Sequence, residues 1–171
     1  MDKKLLLVID VQNDFVNGSL PAEGAKDIIE PIIQKIEDCI IKGYTVIYTM
    51  DTHGNDYFNT DEGKNIPIEH CKLDTYGWQI VQGVYKQGCK IIQKDAFTSK
   101  KLLEDIQVEN FTSIELLGLC TDICILENAL LLKRNIKKAT IAVHKNLTAG
   151  STYQKHINAL QGLEKNGIKI L

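Results

Sequence analysis

Short apolar runs alternate along the chain with segments that carry apolar residues at helical spacing. Continuous apolar runs of this length are typical of strands buried on both faces of a sheet. The predicted strands are 3–9, 45–50, 90–93, 114–119, 140–143 and 168–171. The predicted helices are 25–42, 100–105, 122–134 and a last helix that is capped by Ser151 or Thr152 and ends at Asn166. Strands that alternate with helices predict an α/β fold, with a doubly wound, mostly parallel sheet flanked by helices.

One long polar segment, residues 52–88, interrupts this alternation. It contains His53, Glu62 and His70, while Pro67 and several glycines break any regular pattern. Loops of this length inside a compact domain are uncommon and are usually functional. We therefore expect this segment to contribute to a site.

Composition narrows the classes of function. A chain of 171 residues with 44% hydrophobic and 25% charged residues fits a single domain, 1–171. A net charge of −2 argues against nucleic acid or an anionic membrane as partner. Five cysteines without the spacing of a secreted domain, and no recognisable signal peptide, predict reduced thiols in the cytoplasm. A homo-oligomer remains possible.

Four reactive side chains follow four different predicted strands. Asp10, Asp51, Lys94 and Cys124 each lie at or just beyond a strand's carboxyl end. Because ligands of such sheets bind outside the carboxyl ends of the strands, we expect these side chains to converge in one crevice. Their convergence, more than any one of them, favours an enzyme.

Cys124 lies where a helix begins, directly after the strand 114–119. The helix N-terminus favours a thiolate and predicts a lowered thiol pKa, which would make Cys124 a nucleophile. Asp10 would carry the proton, Lys94 would hold Asp10, and the backbone N–H groups of Cys120 and Cys124 would form the oxyanion hole. The alternative reading makes Cys124 a packed apolar residue, Asp10 a turn cap and Lys94 a solvated loop residue.

A second group of residues has the composition of a metal site. Asp51 and His53 are two residues apart at a strand end and point the same way, and His70 adds a second imidazole. Two nitrogens and one oxygen suit zinc, iron or manganese, and Glu62 would be a further ligand, directly or through water. Solvated loop histidines are the alternative.

Several motifs in order resemble the nicotinamidase/isochorismatase-like family of cysteine hydrolases, in its nicotinamidase/pyrazinamidase branch. The resemblance runs the length of the chain. It is carried by five segments: Val8–Phe15, Asp51-Thr-His53 with His70-Cys71, Lys94–Phe97, Gly118–Cys124 and Ala149–Thr152. It implies the isochorismatase-like hydrolase fold, a cis peptide bond at Leu119–Cys120, and a substrate pocket lined by Phe15, with Gln12 of the same motif at the substrate.

The resemblance also implies an activity. Cys124 would attack nicotinamide and release ammonia, and water would then hydrolyse the thioester to nicotinate. The divalent metal ion would anchor the pyridine nitrogen and bound waters, with Phe15 against the ring. Nicotinamidases often carry a tryptophan shortly before the second metal histidine, whereas this chain has Ile66-Pro-Ile there. That wall of the pocket would be missing or supplied by Tyr57, Phe58 or Trp78.

Other functions remain open at this point. An amidase for another small carboxamide, or for a ureido or carbamoyl compound, would retain the catalytic triad. An isochorismatase-type vinyl-ether hydrolase would need neither the cysteine nor the metal set. A catalytically idle binding module on the same fold would need none of the three residues Asp10, Lys94 and Cys124.

Overall fold

In the computed structural model, which describes residues 2–171, six parallel strands form one sheet in the order β3-β2-β1-β4-β5-β6. The strands are β1 (Lys4–Ile9), β2 (Thr45–Asp51), β3 (Lys90–Lys94), β4 (Ser113–Leu119), β5 (Thr140–Ala149) and β6 (Lys169–Ile170). The predicted doubly wound α/β fold is confirmed, and all pairings are parallel.

The helices connect these strands. They are α1 (Asn13–Val16), α2 (Ile29–Ile41), α3 (Asp61–Asn65), α4 (Lys100–Glu109), α5 (Leu126–Asn135) and α6 (Tyr153–Lys165). Short 3-10 turns cover Ala25–Ile28 and Tyr57–Asn59, and a π-helical turn covers Thr121–Ile125. No helix of residues 2–171 combines the length and apolarity needed to cross a bilayer.

Alternate side chains of the central strands enter two different cores. In β1, Leu5, Leu7 and Ile9 pack under α4, α5 and α6, whereas Leu6 and Val8 pack against α2. This double burial explains why β1 has no polar alternation. Helices on both faces leave the carboxyl ends of the strands as the open edge.

The chain reverses its winding direction between β1 and β4, which are neighbours in the sheet but distant in sequence. Gly118 makes this close pairing possible, because a Cβ there would overlap the carbonyl oxygen of Ile9 and its φ is +120°. The switch point of such a sheet is where a crevice forms. Asp10 and Cys124 follow the two strands that flank it.

Three elements differ from the sequence prediction. The predicted helix 25–42 begins with the 3-10 turn, and α4 continues to Glu109 rather than ending at Asp105. β5 extends to Ala149 because its pairing with β4 shifts register between Leu116 and Gly118. Residues 144–147 bulge at this shift, and their polar sequence masks the strand's continuation.

A buried carboxylate lies on the α2 face of β4. Glu115 accepts a hydrogen bond from the Tyr44 hydroxyl at 2.9 Å, contacts Lys35 Nζ at 2.9 Å and contacts His144 Nε2 at 2.6 Å. The His144 contact is the largest effect on the pKa of Glu115, and it lowers this pKa. Burial raises the pKa, but the bonds from Lys35 and Tyr44 add to the effect of His144, so the pKa falls to about 2. These contacts connect α2, β4 and the bulge of β5.

We predict that Glu115→Gln removes a pH-dependent part of the stability. A carboxyl whose pKa is lower in the folded protein stabilises it above its ordinary pKa, and this contribution disappears as the pH falls towards 2. The variant should lose about 3 kcal/mol of unfolding free energy at neutral pH, and the difference from the wild type should shrink below about pH 4.5. Urea unfolding from neutral to acid pH measures the difference in unfolding free energy, with Glu164→Gln at an exposed position as control. Wild-type and Glu115→Gln stabilities that change in parallel with pH would contradict the prediction.

Candidate active site

Three of the predicted catalytic side chains meet at the switch point. Lys94, at the end of β3, places Nζ 2.7 Å from Asp10 Oδ2, 3.6 Å from Cys124 Sγ and 3.4 Å from Asp51 Oδ1. The Asp10 and Lys94 side chains are fully buried, and Cys124 is 5% exposed. A buried ammonium thus joins the carboxylate, the thiol and the neighbouring histidine-carboxylate cluster.

Asp10 has an unusual backbone that its neighbours stabilise. Its φ of 47° lies in the left-handed region, which a non-glycine residue occupies only where surrounding contacts hold it. The Thr49 hydroxyl donates to Asp10 Oδ1 at 2.6 Å. Across residues 2–171, Oδ2 has no hydrogen-bond partner and lies 2.7 Å from Lys94 Nζ, so this oxygen is able to take a proton.

The charges of this group are strongly coupled. Burial raises the pKa of Asp10, and the Lys94 charge only partly opposes this effect. Burial disfavours the Lys94 ammonium, but Asp10, Cys124 and Asp51 outweigh it and raise the pKa of Lys94 well above its ordinary value. The resting pair is therefore an ammonium beside a carboxylate that holds a proton more readily than an exposed aspartate.

The predicted low pKa of Cys124 is wrong. Burial raises the pKa of the thiol well above its ordinary value; Lys94 lowers it, and the negative charges of Asp10 and Asp51 raise it further. The helix-terminal effect is too small to offset full desolvation. Cys124 is a neutral thiol at rest and needs a base to become a nucleophile.

The turn that carries Cys124 differs from an ordinary helix start. Residues Thr121–Ile125 form the π-helical turn, and the N–H groups of Ile123 and Ile125 donate to the Cys120 carbonyl oxygen. The Leu119–Cys120 peptide bond is cis, as the resemblance implies. Cys120 and Cys124 both line the cavity described below, and their roles as oxyanion donors stay predictions.

The four predicted metal ligands form one cluster. One ligand atom from each of Asp51, His53, Glu62 and His70 lies within 4.8 Å of the other three. His53 Nε2 is 2.8 Å from Asp51 Oδ2 and 3.5 Å from Glu62 Oε1. His70 Nε2 is 3.3 Å from Asp51 Oδ2 and 3.4 Å from Glu62 Oε1.

This donor set fits a divalent ion. Ligand atoms around a tetrahedral ion with bonds of about 2.0–2.1 Å are about 3.3 Å apart, close to most of these separations. His70 Nδ1 lies 2.8 Å from the Ile68 carbonyl oxygen, a bond that would leave Nε2 as the free ligand nitrogen. Burial disfavours charge on both imidazoles, but Asp51 and Glu62 raise the pKa of His53 to about 9 and that of His70 to about 10. The pocket between these carboxylates therefore favours positive charge.

Cys124 and three of the four residues of the metal cluster open into one cavity of about 250 Å³, and Asp10 and Lys94 are buried next to them. Cys124, Asp51, Glu62 and His70 form its reactive end. Its other walls are Phe15, Leu20, Pro21, Ile66, Phe97, Cys120, Ile123, Ser151 and Lys155. Phe15 also packs against the His70 ring, with centroids 5.4 Å apart, which puts an aromatic face beside the metal cluster.

Gln12 does not have the position expected of a substrate-binding residue. It is fully buried, and its amide nitrogen donates to the carbonyl oxygens of Asp51 and Trp78, both at 2.8 Å. Its amide oxygen accepts from the Asp51 N–H at 2.8 Å. All its strong hydrogen-bonding groups are engaged with the backbone, so it orients Asp51 rather than a substrate.

None of the three aromatic residues considered for the missing wall lines the cavity. Tyr57 is buried behind the metal cluster against the rings of His53 and His70. Phe58 is half exposed, and Trp78 donates to the Thr52 hydroxyl. Ile66 itself forms that wall, so the cavity is aliphatic at this position.

Sequence reasoning missed two residues that support the site, the buried Asn128 and the half-buried Asp14. Asn128, one turn after the nucleophile, donates to the carbonyl oxygens of Cys124 and Phe97, both at 2.8 Å. Asp14 accepts from the N–H groups of Cys71 and Ser19 and so anchors the loop that carries His70. A polar residue at helical spacing from Cys124 was the only signal for Asn128. The bond from Asp14 to Cys71 joins residues that are distant in sequence, and no sequence pattern indicated it.

Sequence comparisons relate this chain to a known protein family. The model of the isochorismatase domain family matches residues 4–171. An uncharacterized isochorismatase family protein of Bacillus subtilis (strain 168), PncA, is 28% identical, with 92% of each chain covered.

Solved structures share the fold. The crystal structure of nicotinamidase PncA from Bacillus subtilis has a TM-score of 0.85 at 25% identity, with 98% of each chain covered. That of the pyrazinamidase of Pyrococcus horikoshii in complex with zinc has a TM-score of 0.88 at 23% identity and covers 99% of this chain and 98% of its own. The fold of this chain, with its six-stranded sheet, is therefore shared with these proteins.

Proposed function

Because the chain belongs to the isochorismatase domain family, we propose that this hydrolase is a metal-containing cysteine amidohydrolase that converts nicotinamide to nicotinate and ammonia. The observation that carries the proposal is the Lys94 ammonium, which contacts Asp10, Cys124 and Asp51 at the base of one cavity. Its similarity to nicotinamidase PncA from Bacillus subtilis supports the choice of substrate.

The residue geometry supports a thioester route. Cys124 Sγ attacks the carboxamide carbon as its proton passes to Asp10, whose raised pKa suits it to accept one. The backbone N–H groups of Cys120 and Cys124 stabilise the oxyanion. Asp10 then gives the proton to the departing nitrogen, and ammonia leaves. Asp10 next takes a proton from the water that attacks the thioester carbon. It passes this proton to Cys124 Sγ as the C–S bond breaks, which releases the acid and restores the thiol.

Lys94 keeps this proton carrier in place. Its ammonium stays beside Asp10 through both half-reactions and offsets the negative charge that moves between carboxylate and sulfur. Since the pair is fully buried, water does not screen this interaction. Lys94 is therefore an electrostatic partner rather than a proton donor.

Asp51, His53, Glu62 and His70 would hold a divalent ion beside the ring. Such an ion supplies a Lewis-acid position for the pyridine nitrogen and for water. Phe15, packed on His70, offers its face to the ring. Five free cysteines suit a reducing compartment, and we place the enzyme in the cytoplasm.

Ammonia release from nicotinamide by the purified protein tests this function. We expect about one divalent ion per chain, activity that is lost on chelation and restored by zinc, iron or manganese, and a higher rate on nicotinamide than on benzamide or a ureido acid. Benzamide lacks the ring nitrogen, so it isolates the contribution of the metal side of the cavity.

We predict that His70→Ala loses the bound metal. Removing one of four ligands should reduce the metal content to a small fraction of that of the wild type and kcat/KM by at least about 100-fold. Elemental analysis and ammonia release measure the two effects. His144→Gln, a histidine outside the cavity, should keep the metal. Full activity of a metal-free wild-type protein would overturn the metal assignment, and no hydrolysis of nicotinamide by the metal-loaded protein would overturn the substrate.

A further inference from the structure

The open end of the cavity carries a lysine that the proposed reaction does not use. Lys155, in the first turn of α6, is exposed and lines the same cavity as Cys124. Across residues 2–171, no carboxylate oxygen lies within 4.0 Å of its ammonium. It therefore presents an unpaired positive charge to the cavity mouth.

Two acidic side chains that contact the start of α6 have other partners. Asp122 accepts from the N–H and the hydroxyl of Ser151, at 2.8 and 2.6 Å. Glu23 accepts from the N–H of Tyr153 at 2.6 Å. Both carboxylates are thus held by the backbone around the start of α6, and the Lys155 ammonium is left to solvent or to a ligand.

The other ionisable groups at the base of the cavity all have close partners. Lys94 and Asp10 form an ion pair, and Asp51 and Glu62 face the two imidazoles or the divalent ion they would hold. Among the charged lining residues within 2–171, Lys155 has no ion-pair partner, and Leu20, Pro21 and Ile66 contribute apolar surface to the same cavity. A positive charge at the end of an apolar cavity favours a ligand with an anionic group at its outer end.

Resting on the proposed function, we infer that Lys155 is a specificity-determining residue that favours carboxamides bearing an anionic group on the side remote from the amide. With the amide at Cys124 and the ring nitrogen towards the metal cluster, the remaining ring edge faces the mouth. Ile66 leaves more room there than an aromatic ring would. On this placement, a carboxylate on that edge would point towards the open end of the cavity, which carries Lys155.

A matched pair of substrates tests this inference. 5-Carboxynicotinamide carries the anionic group and 5-acetylnicotinamide is its neutral counterpart. We expect Lys155→Met to lower the ratio of kcat/KM for the acid to that for the neutral compound by about fivefold, the upper range for a partly exposed ion pair. Lys155→Glu should lower it further.

Lys165→Met is the matched control, since Lys165 lies exposed at the other end of the same helix. It makes the same change of net charge and should leave the ratio unchanged. An unchanged ratio in Lys155→Met, with nicotinamide still hydrolysed, overturns the inference and leaves the function intact. If neither substrate nor nicotinamide is hydrolysed, the proposed function is wrong, and calorimetric binding of 5-carboxynicotinamide tests the inference instead. Weaker binding to Lys155→Met than to the wild type supports the inference. Equal binding, or no binding to either protein, overturns it.

Discussion

Replacing Cys124 with serine is expected to lower kcat for nicotinamide hydrolysis by at least about 10⁴-fold, the scale on which nucleophile loss acts in catalytic triads. The geometry makes this loss severe. The base available to residue 124 is a carboxylate beside an ammonium, which can deprotonate a thiol during attack but not the far less acidic hydroxyl. The cavity and metal cluster should persist, because the substitution replaces one atom.

Three measurements identify the cause of the loss. Elemental analysis should show unchanged metal content, and urea unfolding should show nearly unchanged stability. Rapid acid quenching of the wild type with nicotinamide should leave an acyl group on the peptide that contains Cys124 and none on that peptide from the serine variant. Cys89→Ser, a half-buried thiol outside the cavity, is the control and should keep full activity.

Retention of more than about 1% of the wild-type kcat by the serine variant would contradict the thioester route. The Asp51–His70 side of the cavity would then have to carry the chemistry through an activated water. An acyl group on Cys120, which also lines the cavity, would move the nucleophile to the neighbouring thiol.

The meeting of Asp10, Lys94 and Cys124 could be predicted because it follows from topology. Parallel strands bring their carboxyl ends to one edge, so residues placed after β1, β3 and the switch strand β4 approach one another whatever the loops do. The Asp51–His53 pair follows from strand periodicity in the same way. His70 and Glu62 were added to this pair because of their residue types within the long polar segment, and the resemblance supported the same set.

The features that could not be predicted depend on contacts between side chains that are far apart in the sequence. The raised pKa of Cys124 reflects complete desolvation beside Asp10 and Asp51, whereas the local helix start indicated the opposite. Gln12 resembles a substrate contact in sequence, but its amide bonds the backbone of Asp51. The sequence showed that Ile66 stands where nicotinamidases often have a tryptophan. Only the path of the loop shows that neither Tyr57, Phe58 nor Trp78 takes the place of that tryptophan in the cavity wall.

The buried Lys94–Asp10 pair provides the second large effect. Lys94→Met leaves Asp10 and Asp51 buried without their shared cation, so the unfolding free energy should fall by about 3–5 kcal/mol. Asp10→Asn leaves Asp51 as a carboxylate partner of the ammonium and should cost less. Each variant should also lose at least about 10³-fold in kcat, because proton transfer needs both groups.

The double variant Asp10→Asn/Lys94→Met separates stability from chemistry. Removing both charges ends their desolvation cost, so the double variant should be more stable than Lys94→Met alone, with a coupling energy of about 2–3 kcal/mol. Urea unfolding at constant metal concentration measures this double-mutant cycle. The exposed Lys90–Asp105 pair, whose charged atoms are 2.7 Å apart, is the control, and its coupling energy should be below about 1 kcal/mol. Additive losses would contradict the pairing. A double variant that folds well and remains inactive would mean that this ion pair is retained for proton transfer, since an apolar replacement serves the fold at least as well.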